Sequence, residues 1–275
     1  MAVKKGNHSM TMDTISQIST HYKNITAAIN RVFWDSSSDK EHSLYVGSYG
    51  RGTAINTSGL DVIFRLPNEE YEHFNSLYGN GQSRLLQAVK MAVLQSMPRT
   101  QVHGDGQVVV VEYSDGIRFE IVPAFDNTIY GIPDGTFKYP DTHMGGKWRT
   151  TNPRAEQDAM KCKNSYGETN GLLIDTCKHI RYIRDAFFSS YHLSGILIDS
   201  FVYQYIGSWC FLRPGEKEYS NGTTFEQYLL SKYEECLYID GIYYPTINAP
   251  GSGMPVDTSK DWVCLGKVLK KMVES

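Results

Sequence analysis

The sequence predicts an α+β protein in which a lobe of helices and mixed or antiparallel strands precedes a C-terminal helical lobe. Strand patterns, including a hairpin, are concentrated before residue 150, whereas helical patterns dominate after it. The 275 residues, 41% of them hydrophobic, can bury a substantial core. The net charge of −3 does not indicate a nucleic-acid or membrane partner, so we expect small or weakly charged ligands.

The first long element is predicted to be an amphipathic helix over residues 12–34, and we expect it to act as a spine between the lobes. The opening MAVKKGNHSM is typical of vector-derived residues, so residues 1–11 are predicted to be a tag or a disordered leader. Apolar residues recur along the helix at helical spacing: Ile15, Ile18, Tyr22, Ile25, Ile29 and Phe33.

The remaining elements follow from local patterns. Strands are predicted at 44–46 and 61–66 on either side of a glycine-rich turn, followed by a helix over 83–97. Two apolar runs flank an Asp-Gly turn and predict a hairpin of 108–113 with 117–122. The later helices are predicted at 153–165, 170–189, 194–212, 223–238 and 258–273.

The cysteines and the absence of long apolar runs predict the compartment. The five cysteines form no CxxC pair and lie mostly in apolar helical patterns, which favours buried, reduced thiols over disulfides or zinc ligands. No signal peptide is recognised, and no apolar run reaches the roughly 18 residues of a membrane span. We therefore expect a soluble, cytoplasmic protein without a membrane partner. The cysteines are Cys162, Cys177, Cys210, Cys236 and Cys264.

The glycine-rich turn GSYGRGT at residues 47–53 predicts a phosphate-binding segment. Glycines let the backbone approach a ligand closely, and a serine at a helix N-terminus offers its hydroxyl and backbone N–H groups to phosphate oxygens. No GK[ST] closes the segment, and its glycine spacing does not fit GxGxxG, so neither common nucleotide motif explains it. A plain turn is the alternative.

Two acids on neighbouring predicted strands lie beside this turn. Position 59 and Asp61 share one face of a strand whose Leu60 points into the core, and Glu120 lies between two core residues of a second strand. Two such carboxylates beside a phosphate-binding turn predict a magnesium site for a nucleoside triphosphate. The alternative is a pair of surface acids on an amphipathic sheet.

These segments carry a resemblance to a known family. GSYGRGTAI with LDVIFRLP, FEIVPAF and KWRTTNPRAE resembles the cGAS/DncV-like nucleotidyltransferases (CD-NTases) of bacterial antiphage defence, in the DNA polymerase beta superfamily. The resemblance implies a polymerase beta-like catalytic lobe over 12–150, including the spine helix, and a helical lobe over 151–275. It places KWRTTNP at the rim of the active site without individual roles.

The resemblance also implies roles for residues of the first lobe. Gly47 and Ser48 match the turn that holds the β and γ phosphates. Asp61 matches the second metal-binding acid, and Glu120 matches the third, which acts on the attacking hydroxyl as ligand or base. The implied cofactors are two Mg²⁺ or Mn²⁺ ions.

In the helical lobe, Lys178 and Ser200 match positions that reach back to the triphosphate. For Lys178 the alternative is a solvated helix face, and for Ser200 it is a hydroxyl bonded to its own preceding turn. Tyr203 could stack on a base, although aromatic core packing is the more common role of such a residue.

The first metal-binding acid of the family is missing, because Gly59 occupies its position. A bridging carboxylate helps to hold both ions, so its loss should cripple turnover while triphosphate binding remains. The glycine is either a deliberate change that traps substrate or a natural inactive variant, unless Asp115 or Glu112 substitutes. Glycine weakens a strand, so local structure gives no reason for it.

The resemblance therefore implies an enzyme that joins ATP, alone or with a second NTP, into a cyclic di- or trinucleotide and releases pyrophosphate. The alternatives are a catalytically silent nucleotide-binding module and a template-free transferase acting on RNA or a small acceptor. Nothing between His143 and Cys162 has the spacing of a zinc loop, so direct DNA sensing is not expected. Activity is expected to be constitutive or controlled by a protein partner.

Overall fold

The computed structural model describes residues 1–57, 59–216, 222–236 and 245–274. The chain forms two compact units. The sheet unit comprises Met10–Gly50 and Asn56–Pro153, and the helical unit comprises Met1–Ser9, Arg51–Ile55 and Arg154–Ser275. This arrangement confirms the predicted α+β class, and the change of unit at Pro153 lies within a few residues of the predicted boundary at 150.

The sheet unit is built on a seven-stranded mixed sheet whose main path has the order β1-β2-β5-β4-β3. Strands β2 and β5 are parallel and the other neighbours are antiparallel; β6 pairs with the second half of β5 and with β7. The strands are β1 (Ser43–Tyr45), β2 (Leu60–Arg65), β3 (Gln101–Asp105), β4 (Val108–Glu112), β5 (Arg118–Ile129), β6 (Ile132–Asp141) and β7 (Lys147–Thr151). The helices of this unit are α1 (Met12–Phe33), α2 (Gly47–Gly50), α3 (Asn68–Ser76) and α4 (Gly81–Ser96).

Helix α1 packs its apolar face on the core of the sheet unit. Thr11 caps it, since its Oγ1 accepts a hydrogen bond from the Thr14 amide at 3.2 Å. Ile18, Ile25 and Ile29 are buried beside the apolar residues of β2 and α4, and burying each isoleucine contributes roughly 1.5–3 kcal/mol. The predicted helix is confirmed, whereas its role as a spine between lobes stays a prediction.

The predicted β4–β5 hairpin is also confirmed. Its turn is closed by the Asp115 carboxylate, which accepts a hydrogen bond from the Ile117 amide at 3.1 Å. Gly116 adopts φ +85°, a conformation that favours glycine. The sequence patterns missed α3, β3, β6 and β7, because these elements have short or largely exposed residue patterns without a clear apolar period.

The described residues of the helical unit bury an apolar core. Its elements are α5 (Pro153–Lys163), α6 (Leu172–Phe187), α7 (Gly195–Tyr205), α8 (Phe225–Glu235), α9 (Trp262–Val273) and the short pair β8 (Ile247–Asn248) with β9 (Pro255–Val256). Helix α7 ends earlier than the predicted residue 212, two residues before Gly207 with φ +58°. The last two residues of the predicted 223–238 helix lie outside the described residues. Within the described part of the chain, none of the helices combines the length and apolar character of a membrane span.

The N-terminal segment, predicted to be a tag or a disordered leader over residues 1–11, has an ordered structure, and its origin as a tag stays a prediction. Residues Met1–Ser9 pack on the helical unit, and α1 begins at Met12. The Gly6 amide donates to Asp175 Oδ2 at 2.8 Å and the Val3 amide donates to Glu226 Oε1 at 2.8 Å. Side-chain partners for the backbone amides thus hold this segment in place, a feature that composition alone could not reveal.

Candidate functional site

The glycine-rich turn forms the single helical turn α2 directly after β1. The Val46 amide donates to the Asp61 carbonyl at 2.8 Å, and the Gly50 amide donates to the Val46 carbonyl at 2.9 Å. The first bond joins the end of β1 to the start of β2. Gly47 and Ser48 are therefore held next to the strand that carries Asp61.

Contacts between aromatic rings connect the turn to helix α1. The ring of Tyr49 in α2 lies 4.7 Å from that of Tyr45, which stacks at 4.1 Å on Tyr22 of α1. Burial raises the pKa of Tyr45 above its ordinary value, so its hydroxyl stays neutral. The row of rings links the turn to the longest helix of the sheet unit.

The structure brings Gly47, Gly59, Asp61 and Glu120 together. Asp61 and Glu120 are directly paired on the parallel strands β2 and β5, which lie roughly 4.8 Å apart in such sheets. Gly47 has φ +58°, and a Cβ built on it would overlap the Asp61 carboxylate. A Cβ built on Gly59 would lie 3.3 Å from Glu120 Oε1. Both carboxylates are partly exposed, so a ligand can reach them.

An arginine that the sequence analysis did not assign lies among these acids. Arg118 Nη1 is 2.8 Å from Glu120 Oε1, and Arg118 Nε is 3.7 Å from Glu112 Oε1. Arg118 stands two residues before Glu120, so both side chains project from the same face of β5. That spacing was the available signal in the sequence.

The acids present do not fit the two-ion set that the resemblance implies. Among the described residues, no group of three or more His, Cys, Asp or Glu side chains could hold a metal ion. Asp115 does not substitute, because its Oδ2 lies 2.7 Å from His21 Nε2, and this hydrogen bond lowers the pKa of Asp115. Glu112 faces Arg118 across the hairpin.

Three predicted residues lie in the helical unit. Lys178 on α6 is half-buried and keeps its predicted role as a prediction. Ser200 has no exposed surface, and its Oγ has no hydrogen-bond partner within the described residues, so a bond to its own preceding turn is not observed there and its predicted role stays a prediction. Tyr203 packs under Lys163, whose Nζ lies 4.4 Å from the ring centroid and donates to the Tyr203 carbonyl at 2.6 Å. Its stacking on a base stays a prediction.

The sequence analysis also missed a buried ion network in the helical unit. Asp199 accepts hydrogen bonds from Arg51 Nε at 2.8 Å, Arg181 Nη1 at 2.6 Å and Thr53 Oγ1 at 2.9 Å. Arg51 Nη1 also donates to Glu156 at 2.8 Å. Burial opposes ionisation, yet the charges of Arg181 and Arg51 hold the pKa of Asp199 below its ordinary value.

Comparison with known families shows to which family the chain belongs. The sequence model of SMODS, the Second Messenger Oligonucleotide or Dinucleotide Synthetase domain, matches residues 5–164. The chain belongs to the SMODS family. The matched range includes the turn, Gly59, both acids and Arg118, whereas Lys178, Ser200 and Tyr203 lie beyond it. A comparison with curated proteins finds no match.

Solved structures of bacterial CD-NTases have the same fold. The Elizabethkingia meningoseptica CdnE cyclic dinucleotide synthase, solved with GTP and Apcpp, gives a TM-score of 0.62 at 15% identity, over 97% of this chain and 98% of that chain. The Vibrio cholerae di-nucleotide cyclase DncV gives 0.65 at 11% identity, over 96% and 84%. The E. coli MS115-1 CdnC:HORMA-deltaN complex gives 0.59 at 13% identity, over 96% and 84%. At identities of 11–15%, these comparisons show that the SMODS chain shares the fold of these proteins and show nothing about its activity.

Proposed function

We propose that this SMODS chain is a nucleotidyltransferase of the type that joins NTPs into a cyclic di- or trinucleotide second messenger and releases pyrophosphate, for cytoplasmic antiphage signalling. We further propose that its chemical step is impaired because Gly59 replaces an acid. The observation that carries the proposal is the pairing of Asp61 with Glu120 on adjacent parallel strands, directly beside the Gly47 turn.

The binding half of this function rests on the turn. Gly47 has no side chain where the Asp61 carboxylate approaches, and Ser48 follows it in the helical turn. Backbone N–H groups and a serine hydroxyl in such a turn suit phosphate oxygens. The contacts predicted for Lys178 and Ser200 with the triphosphate, and for Tyr203 with a base, are part of this proposal.

The chemical half is phosphoryl transfer, in which positioning and charge neutralisation supply most of the catalysis. A full acid set would hold two Mg²⁺ or Mn²⁺ ions and neutralise the developing charge. This chain has Asp61 and Glu120 but no acid at position 59, so we expect it to bind NTP while its catalytic turnover is impaired. The CdnC complex with HORMA-deltaN supports a protein partner as the regulator of this chain.

Gly59 favours one other function, a catalytically silent nucleotide-binding module. The two functions differ in what happens when the acid is restored. Gly59 does not adopt a left-handed conformation, and a Cβ there lies 3.3 Å from an oxygen of the flexible Glu120 side chain. Gly59→Asp should therefore fold with a small shift of Glu120.

The test incubates Gly59→Asp with Mg²⁺ and mixed NTPs and measures pyrophosphate release and the product mass. We expect at least about 100-fold more pyrophosphate than from the unmodified chain, because the missing charge stabilisation is restored, together with a cyclic product. Gly59→Asn is the matched control, since it has the same size without the charge and should bind NTP without turnover. A Gly59→Asp protein that binds NTP but forms no product would establish the silent module. Failure of both the variant and the unmodified chain to bind NTP would overturn the proposal.

A further inference from the structure

We propose that Arg118 takes the place of a metal ion beside Glu120: it positions Glu120 and neutralises its charge, so that divalent cations compete poorly for this carboxylate and NTP binding depends little on them. The nucleotide part of this inference rests on the proposed function. The part that concerns cation binding does not.

Arg118 lies beside the position of the missing acid. Strands β2 and β5 pair Leu60 with Phe119, so position 59 and Arg118 come next in the parallel register. The Arg118 amide donates to the Thr57 carbonyl at 3.2 Å, which extends the pairing to the residues just before the start of β2. The arginine backbone is thus held next to Gly59.

One carboxylate oxygen of Glu120 lies close to both Arg118 and position 59. Glu120 Oε1 is the atom that lies 2.8 Å from Arg118 Nη1, and it is also the atom 3.3 Å from a Cβ built on Gly59. An acid at position 59 would bring a second negative charge to this oxygen, and that pair would need a cation between them. In this chain the Arg118 guanidinium contacts Glu120 Oε1, and position 59 carries no acid.

The local charge supports the same role. Arg118 lies between the carboxylates of Glu112 and Glu120, so its one positive charge neutralises part of the negative charge that a cation would otherwise have to neutralise. The exposed fractions of the Arg118, Glu120 and Glu112 side chains are 32%, 26% and 41%, so cations and phosphates can reach the cluster.

The experiment compares the unmodified chain with Arg118→Gln. Mn²⁺ binding without nucleotide is measured by electron paramagnetic resonance, and ATP affinity is measured by calorimetry in excess Mg²⁺ and in EDTA. Arg65→Gln is the matched control, because Arg65 is a partly exposed arginine of the same sheet that pairs with Asp126 at 3.3 Å. Circular dichroism verifies that each variant is folded.

We expect EDTA to weaken ATP binding by less than about 3-fold in the unmodified chain and in Arg65→Gln. In Arg118→Gln it should weaken ATP binding by about 10-fold or more, because the charge-assisted contact of Arg118 with Glu120 is lost and only a metal ion can then neutralise this carboxylate. Mn²⁺ should bind Arg118→Gln at least about 5-fold more tightly, because the competing cation is gone. Equal Mn²⁺ affinity in all three proteins would overturn the role of Arg118. If the unmodified chain binds no ATP under either condition, the proposed function fails, and the Mn²⁺ comparison still decides the role of Arg118.

Discussion

The two units contain charged clusters of similar composition and opposite burial. In the sheet unit, Asp61, Glu120 and Arg118 are partly exposed. In the helical unit, Asp199 is fully buried and Arg51 nearly so. An exposed cluster can exchange a protein partner for a ligand at little cost, whereas a buried one must keep its partners because water cannot replace them. The first arrangement suits a binding site, and the second suits a fixed structural element.

The largest expected effect breaks the buried cluster. Asp199→Ala leaves Arg51 and Arg181 without the carboxylate that pairs with both. Removal of one partner from a buried ion pair costs roughly 3–5 kcal/mol. We expect the free energy of unfolding to fall by about that amount, as measured by urea denaturation.

The control for this variant is Asp185→Ala, which removes the carboxylate of an exposed pair with Arg184 at 2.7 Å. Exposed pairs contribute below about 1 kcal/mol, so this variant should unfold close to the unmodified chain. Equal losses of stability in the two variants would contradict the distinction between the clusters.

A second prediction sharpens the comparison at the exposed cluster. Gly47→Ala places a Cβ on the Asp61 carboxylate in a backbone conformation with φ +58°. We expect a loss of about 1–2 kcal/mol in stability from the left-handed conformation. We also expect at least about 10-fold weaker ATP binding in calorimetry, because Asp61 is displaced.

Gly116→Ala separates these two effects. Gly116 has φ +85°, and nothing lies within 4 Å of the position of its Cβ. It should lose similar stability while ATP affinity stays within about 2-fold of the unmodified chain. Weaker ATP binding by both variants to the same degree would show that general destabilisation, and not the position of Asp61, explains the result.

The sequence predicted most of the sheet unit and its exposed acids because the relevant signals are local. The turn at residues 47–53 and Asp61 lie within a short stretch of chain, and the alternation of β5 indicates which face carries Glu120. The Asp115-Gly116 turn fixed the hairpin register in the same way.

The sequence could not predict the contacts between distant parts of the chain. Arg51 and Asp199 are 148 residues apart, so no pattern within either segment indicates that they pair. The burial of Ser200 likewise depends on the packing of the helical unit and not on its own segment. The N-terminal segment has a polar composition, and its order comes from Asp175 and Glu226.

The smallest effect that we predict concerns the pH dependence of the buried cluster. Burial raises the pKa of Glu156 above 4.5 despite the attraction of Arg51. Between the unfolded pKa and this raised value, the folded protein keeps a proton that the unfolded chain has released. Stability therefore falls as the pH rises through this window, and Glu156→Gln should lack this decline.

The measurement is urea denaturation of both proteins at several pH values from about 4.5 to 7. Glu216→Gln is a control of opposite sign, because hydrogen bonds from Arg213 lower the pKa of Glu216, and its stabilisation is lost only as the pH falls through that lower value. We therefore expect the difference in the free energy of unfolding between Glu156→Gln and the unmodified chain to grow with pH in this range, while the difference for Glu216→Gln stays constant. A constant difference for Glu156→Gln would mean that Arg51 compensates its burial in full, and that the two clusters differ less than their burial indicates.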